Sequence, residues 1–375
     1  MKNFWQKLKK PILALAPMAG ITDSAFRLIC RRYGADVVYS EMASASALYY
    51  KPKKTLELLK FNRKERPYVV QLFGKNPEHF AKAARILDSL PLEKGELERD
   101  FHPKLKQKSP LIPLFQRGKI YRPDGLDINF GCPAKKVFNH GSGCALMLDI
   151  KLTREIIEAV LRNTSLPVSI KIRAGVKKQT ALNFIKKLKD LPFQAIMLHG
   201  RTYEGGFGGP VDFALAQKIK QSVPEKIVLL NGDITDPKQA REILDQYPLI
   251  DGLGIGRGVL GRPWLFEEIK NLLQNPSLLI KERCREATER YNFEKNHPVK
   301  SPRSEVVRPL ADEFNRVKKV IMEHAKLIYK NKPRTGALEI RKHLAWYVRG
   351  FPGASEMRKK LVRTESLEEI KRILK

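Results

Sequence analysis

Cysteine is scarce in this chain of 375 residues: Cys30, Cys132, Cys144 and Cys284 lie far apart and form no C-x-x-C pair. Such scatter supports neither a disulfide framework nor a zinc site, and no metal is expected. Long apolar runs are missing too, and none approaches the roughly 20 residues that a bilayer span requires. The N-terminus imitates a signal peptide, with Lys2, Lys7, Lys9 and Lys10 before an apolar run at 12–16. That run is short, bounded by Pro11 and Pro17, and continues into Met18-Ala19-Gly20-Ile21-Thr22-Asp23 like a strand leaving for a loop, so a cytoplasmic protein is expected. Acidic residues are few, 40 against 71 Lys and Arg, which leaves a formal charge of +31. This exceeds what solubility needs and points to a polyanionic partner, nucleic acid before membrane.

What is present centres on residues 125–148, G-L-D-I-N-F-G-C-P-A-K-K-V-F-N-H-G-S-G-C-A-L-M-L. A short apolar strand ends in Asn129, turns at Gly131-Cys132-Pro133, passes Lys135 and Lys136, and enters a glycine-rich segment. A cysteine presented at a strand's end beside two lysines has the surroundings of a reactive thiol, and the stretch alone also admits a buried turn cysteine.

Similar apolar runs recur at 12–16, 36–40, 68–72, 126–129, 168–172, 195–198, 227–230 and 252–255, each ending in polar or glycine residues. Helical patterns lie between them, as at 24–33, 77–90, 153–164 and 237–246. Eight such repeats predict an α/β fold, a (β/α)8 TIM barrel whose polar strand tips share one rim. An open doubly wound sheet would carry G-x-G-x-x-G after its first strand, and none follows residues 12–16. The barrel is expected over 1–274, with a Lys- and Pro-rich insertion at about 91–123 bulging from the rim opposite the site. A linker at 275–304 and an all-α helical domain at 305–375 follow, whose Arg341, Lys342, His343 and other basic residues, interleaved with Trp346 and Tyr347, are expected to track phosphates.

At the rim, Asn231-Gly232-Asp233 and Gly256-Arg257-Gly258 follow the last two strands, where this fold usually binds phosphate. Lys171 inside the fifth strand can offer positive charge to an electron-rich ring, with Gln71 and Pro17 to Ala19 at its polar edge.

These residues resemble those of the tRNA-dihydrouridine synthases, in the bacterial B-type subgroup. The matching motifs are A-P-M-A-G-I-T-D at 16–23, V-Q-L-F-G at 70–74, D-I-N-F-G-C-P-A-K-K-V at 127–137 and G-S-G-C-A-L at 141–146. Further matches are I-K-I-R-A-G at 170–175, H-G-R-T at 199–202, N-G-D-I at 231–234, G-R-G-V-L-G-R-P-W at 256–264, R-K-H-L-A-W-Y at 341–347 and G-F-P-G-A at 350–354. The resemblance implies an FMN-bound barrel that reduces a tRNA uridine to dihydrouridine with NADPH. It implies Cys132 as proton donor and places Asn129, Lys171 and Arg173 around flavin and uracil. Pro17, Met18, Ala19, Gln71, Lys171, His199, Asn231, Gly232, Asp233, Gly256 and Arg257 would contact FMN; Lys135, Lys136, Arg341, Lys342 and His343 would face tRNA. A monomer is expected. Hydride addition at C6 of uracil leaves C5 in need of a proton, and a thiol of ordinary pKa, about 8.5, remains protonated enough to give it. The competing expectations are an FMN barrel acting on a free pyrimidine or other small molecule, and an RNA-binding barrel without catalysis.

Overall fold

Eight parallel strands close into a barrel in the computed structural model, which describes residues 3–92, 120–275 and 310–375. They are β1 (Ile12–Leu15), β2 (Val37–Tyr39), β3 (Tyr68–Phe73), β4 (Gly125–Phe130), β5 (Val168–Val176), β6 (Ala195–Thr202), β7 (Ile227–Asn231) and β8 (Gly252–Ile255). Each pairs with the next, and β8 pairs back to β1. All eight expected strands form, and β5 and β6 run past the apolar residues into their polar tips.

Alternation along the strands sends one set of residues into the barrel. Toward the N-terminal end that interior is apolar: Trp5, Ile12, Ala14, Val37, Val69, Ala195, Met197, Ile227 and Leu229 form one buried cluster. Toward the C-terminal end the same faces carry Gln71, Asp127, Asn129, Ser169, Lys171, His199 and Asn231, in register across neighbouring strands. The apolar layer supplies the burial that holds the barrel closed, and the polar layer above it is left for chemistry.

Helices start where the sequence provides caps. Asn76 accepts from the N–H groups of Glu78 and His79, with Pro77 at the first position of Pro77–Asp88. The described ends of the 91–123 segment meet at the N-terminal end of β4, where the Arg122 N–H donates to the Pro91 carbonyl at 3.0 Å. The Arg122 guanidinium also reaches Asp88 at 2.5 Å and Ser165 at 2.6 Å. The body of this segment, and most of the expected linker at 275–304, lie outside the described residues.

By packing, the chain divides into one unit of Met1–Ile234 with Ile243–Arg257 and a second of Thr235–Glu242 with Gly258–Lys375. The second contains the helices Leu310–Asn331, Gly336–Tyr347, Ala354–Leu361 and Leu367–Ile373. Val317, Val320, Ile321, Ile328, Ile340, Leu344, Tyr347, Leu361 and Ile370 are buried in it. At its last helix Ser366 accepts from the Glu369 N–H at 3.2 Å as a cap, while the Glu369 carboxylate takes the N–H of Glu365 rather than that of Ser366. Among the described residues no helix is long and apolar enough to cross a membrane.

Candidate active site

Cys132 sits just beyond β4 on a turn organised by Asn129. The Asn129 Oδ1 accepts from the backbone N–H groups of Gly131 at 3.1 Å and Cys132 at 2.8 Å. Its Nδ2 donates to Gln71 Oε1 at 2.8 Å, and Gln71 Nε2 donates to Asp127 Oδ2 at 2.7 Å. Ser169 Oγ completes the chain by donating to the other Asp127 oxygen at 2.6 Å. An ionised carboxylate only accepts, so Asp127 fixes which way Gln71 faces, Gln71 fixes Asn129, and Asn129 fixes the cysteine turn. A side chain at Gly143 (φ +62°) would lie 2.9 Å from the Cys132 carbonyl oxygen and 3.0 Å from its Cβ, so glycine is what lets the following loop close behind the thiol. Cys132 is half-buried, whereas Cys144 is buried and its thiol is pushed up to about 12 by burial, in keeping with a packing role.

Asp127 is buried at the middle of this chain, and burial raises its carboxyl to about 6. Its folded value stands above the ~3.9 of a free Asp, so the folded state holds the extra proton and stability falls as pH rises through that window. Asp127→Asn removes the titration yet keeps the chain, because its oxygen can still accept from Gln71 while Ser169 turns to accept from the new amide. Melting temperatures measured across about pH 4 to 6 are expected to decline for the wild type more steeply than for this variant. Equal slopes would mean that Asp127 is not the titrating group.

Cations crowd the adjoining strands. Lys171, opposite Asn129 in the β4–β5 register, is lowered to about 8 by burial and by the Arg173 charge. His199 is held down at about 2 by burial and by Lys171, Arg173, Arg201 and Arg257, so its imidazole is neutral and donates from one nitrogen only. Arg201 grips the Asp233 carboxylate with both terminal nitrogens, and Arg257 Nη2 stands 3.6 Å from the same group. Gly232 (φ +133°) and Asp233 (φ +47°) turn consecutive residues to positive φ, and concave backbone turns of this kind can cup an anion. The Asp233 carboxylate itself is taken by Arg201.

These residues fit FMN. A cluster of cations with one engaged carboxylate suits a phosphate monoester and a ring that becomes anionic on reduction. A Cβ built on Gly256 would meet only ordinary contacts, 3.7 Å to Met18 Sδ and 3.9 Å to Asn231 Nδ2, so protein packing does not explain that glycine, whereas a ligand approaching there would. Asn231 itself is pinned by donating to the Gly254 carbonyl at 2.6 Å. Pro17 and Met18 are half-buried and Ala19 exposed on the loop after β1, at the same rim.

Several expected residues are employed differently. Arg173 is buried, and its guanidinium donates to the carbonyls of Gly131 at 3.1 Å, Thr202 at 2.8 Å and Gly206 at 2.7 Å. It ties the cysteine turn to the loop after β6. In the helical unit His343 is a correction: it is 2% exposed, packed against His324 with ring centroids 4.4 Å apart, and cannot reach a phosphate. Tyr347 is likewise core, bonded through its hydroxyl to His324 at 3.0 Å, while Trp346 stays at the surface. Arg341 donates to the carbonyls of Thr364 at 3.0 Å and Arg363 at 3.2 Å, and Lys342 pairs with Glu339 at 2.7 Å. Lys135 and Lys136 are exposed. Asp127, Ser169 and Arg201 were not singled out by the sequence, although the D-x-N spacing of Asp127 and Asn129 already puts both on one strand face.

Comparison with known proteins identifies relatives along most of the chain. The family model described as Dihydrouridine synthase (Dus) matches residues 14–93 and 113–375, and the gap between them falls inside the 91–123 segment. The tRNA-dihydrouridine synthase B of Pseudomonas aeruginosa is 32% identical over 359 residues, covering 95% of this chain and 89% of that protein. A probable tRNA-dihydrouridine synthase of Rickettsia bellii is 30% identical over 351 residues, covering 92% and 88%. Among solved structures, a 2-naphthoyl-CoA reductase has a TM-score of 0.50 at 11% identity, covering 71% of this chain and 52% of that one, a likeness of fold alone. The chain belongs to the dihydrouridine synthase family.

Proposed function

We propose that this chain reduces the C5–C6 bond of a uridine in tRNA to 5,6-dihydrouridine, using FMN and electrons from NADPH. The observation that carries the reading is the Cys132 turn, locked by Asn129 beside Lys171 at the rim that also bears the clustered cations. Reduced FMN, when bound, supplies the hydride that adds at C6. Conjugation to the C4 carbonyl spreads the resulting charge as enolate, and Cys132 Sγ–H delivers the proton that C5 then needs. Solvent restores the thiol proton. Lys171 would favour negative charge on the ring, neutral His199 would offer one donor, and Arg257 with the Gly232–Asp233 turn would hold the phosphate. The target base is stacked in folded tRNA and has to swing into the barrel mouth, with exposed Lys135 and Lys136 positioned for flanking phosphates. The excess of 71 basic over 40 acidic residues supports tRNA over a free pyrimidine as the substrate. We read the protein as a cytoplasmic monomer.

The test follows the flavin absorbance. Protein loaded with FMN and reduced anaerobically by NADPH should be reoxidised by unmodified tRNA and hardly at all by free uridine. Equal reoxidation by both would favour a small-molecule reductase.

A further inference from the structure

Resting on the tRNA reading, we propose that the barrel unit carries an RNA-stacking surface beside its active site, built on Tyr49, Tyr50 and His79 and bordered by lysines. A short strand, Ala43–Ser44, pairs with Leu72 and Phe73 at the C-terminal end of β3, and this sets the helix Ala45–Tyr50 on the active-site rim. There Tyr49 and His79 lie with ring centroids 4.3 Å apart, and Tyr50 stands edge-on to both at 4.8 and 5.2 Å. The polar atoms of the first two are committed. The Tyr49 hydroxyl donates to Glu78 at 2.8 Å, and His79 Nδ1 is 2.8 Å from Ser46 Oγ. They form a fixed platform, and Tyr50 rises from it 69% exposed.

Burial does not account for Tyr50, since most of its ring faces water. Charge suggests what does. Lys82 Nζ sits 4.3 Å from the Tyr49 ring centroid, and Lys51, Lys53, Lys54 and Lys75 are exposed nearby in sequence. The neighbouring carboxylates are already engaged, Glu78 by Tyr49 and Glu57 by Lys60 at 2.5 Å. The surface also continues to the catalytic turn, because a Cβ at Gly141 would meet Lys75 Cδ at 3.5 Å, and Gly141 ends the segment that carries Lys135 and Lys136. Aromatic faces among lysines, next to a pocket that must receive a swung-out nucleotide, fit an unpaired base stacked on the rings with its phosphates over the ammonium groups. A protein partner would be expected to bring acids to match, but it would not explain the run from this platform to the cysteine loop.

The experiment measures binding of unmodified tRNA to the full, flavin-loaded chain by fluorescence anisotropy, at several salt concentrations, for the wild type, Tyr50→Ala and Tyr50→Phe. Tyr50→Ala should weaken binding about ten-fold with the salt slope unchanged, since stacking releases no counterions, and Tyr50→Phe should bind as the wild type does. A Lys53→Ala/Lys54→Ala variant should instead lower the salt slope by about one to two. Flavin content and melting temperature report folding in each case. If Tyr50→Ala binds like a wild type that itself binds tRNA, the stacking surface is refuted and the proposed function stands. If the wild type does not bind tRNA, the proposed function fails together with the surface.

Discussion

Cys132→Ala should keep its flavin and its tRNA affinity while forming dihydrouridine about 10²–10⁴-fold more slowly, the range typical of losing a positioned general acid. The fold gives no reason for wider damage. Asn129 holds the turn through the backbone N–H of residue 132, which alanine retains, and the tight approach of Gly143 is to the Cβ and carbonyl that alanine also keeps. Nor can the second thiol substitute. Cys144 is buried and pushed up to about 12, and its N–H is turned to the Cys132 carbonyl at 3.3 Å. Lys171, near 8, is wanted as a charge beside the ring rather than as a proton donor. Single-turnover kinetics with pre-reduced flavin isolate the step. An unchanged rate would remove Cys132 from the chemistry.

Glu65→Ala should cost about 3–5 kcal/mol of stability, as expected when one member of a buried ion pair is deleted, and should weaken FMN binding as well. Arg27 and Glu65 are 1% and 0% exposed and meet at 2.6 Å. Glu65 also accepts from Ser24 Oγ at 2.5 Å and from the Asn62 N–H at 2.6 Å. Arg27 in turn donates to the carbonyls of Thr22 at 2.6 Å and Lys60 at 3.0 Å and lies 4.6 Å from the Tyr68 ring centroid. Thr22 closes the loop after β1 through Met18, at 3.2 Å, so the pair braces the loop expected to touch the flavin edge. Removing the carboxylate strands a buried guanidinium. A paired replacement, Arg27→Met with Glu65→Leu, should recover most of the melting temperature because no charge is left unmatched. A single variant melting with the wild type would show that the pair bears no load.

The barrel was legible because each strand is an apolar run closed by polar or glycine residues, and eight such runs have few alternatives. Strand ends were not. Arg173 and His199 end their apolar runs, yet the ladder carries on through them, Arg173 opposite His199 and Gly175 opposite Thr202. Polar residues at a barrel mouth remain hydrogen-bonded strand, and hydropathy does not register that. The relay from Asp127 through Gln71 to Asn129 depends on register between strands some fifty residues apart, which alternation alone cannot supply. No sequence pattern reveals the three carbonyls that converge on the Arg173 guanidinium. His343 is different. Ile340, His343, Leu344 and Tyr347 fall at helical spacing on one buried face of Gly336–Tyr347, so periodicity held the answer and basic composition hid it.

Nucleoside mass spectrometry of unmodified tRNA, after incubation with the purified protein, FMN and NADPH, tests the central claim most directly. The account predicts a gain of two hydrogens on uridine, with deuterium at C5 when the reaction is run in heavy water, because the Cys132 thiol exchanges its proton with solvent. Flavin that cycles with NADPH while every uridine keeps its mass would contradict it.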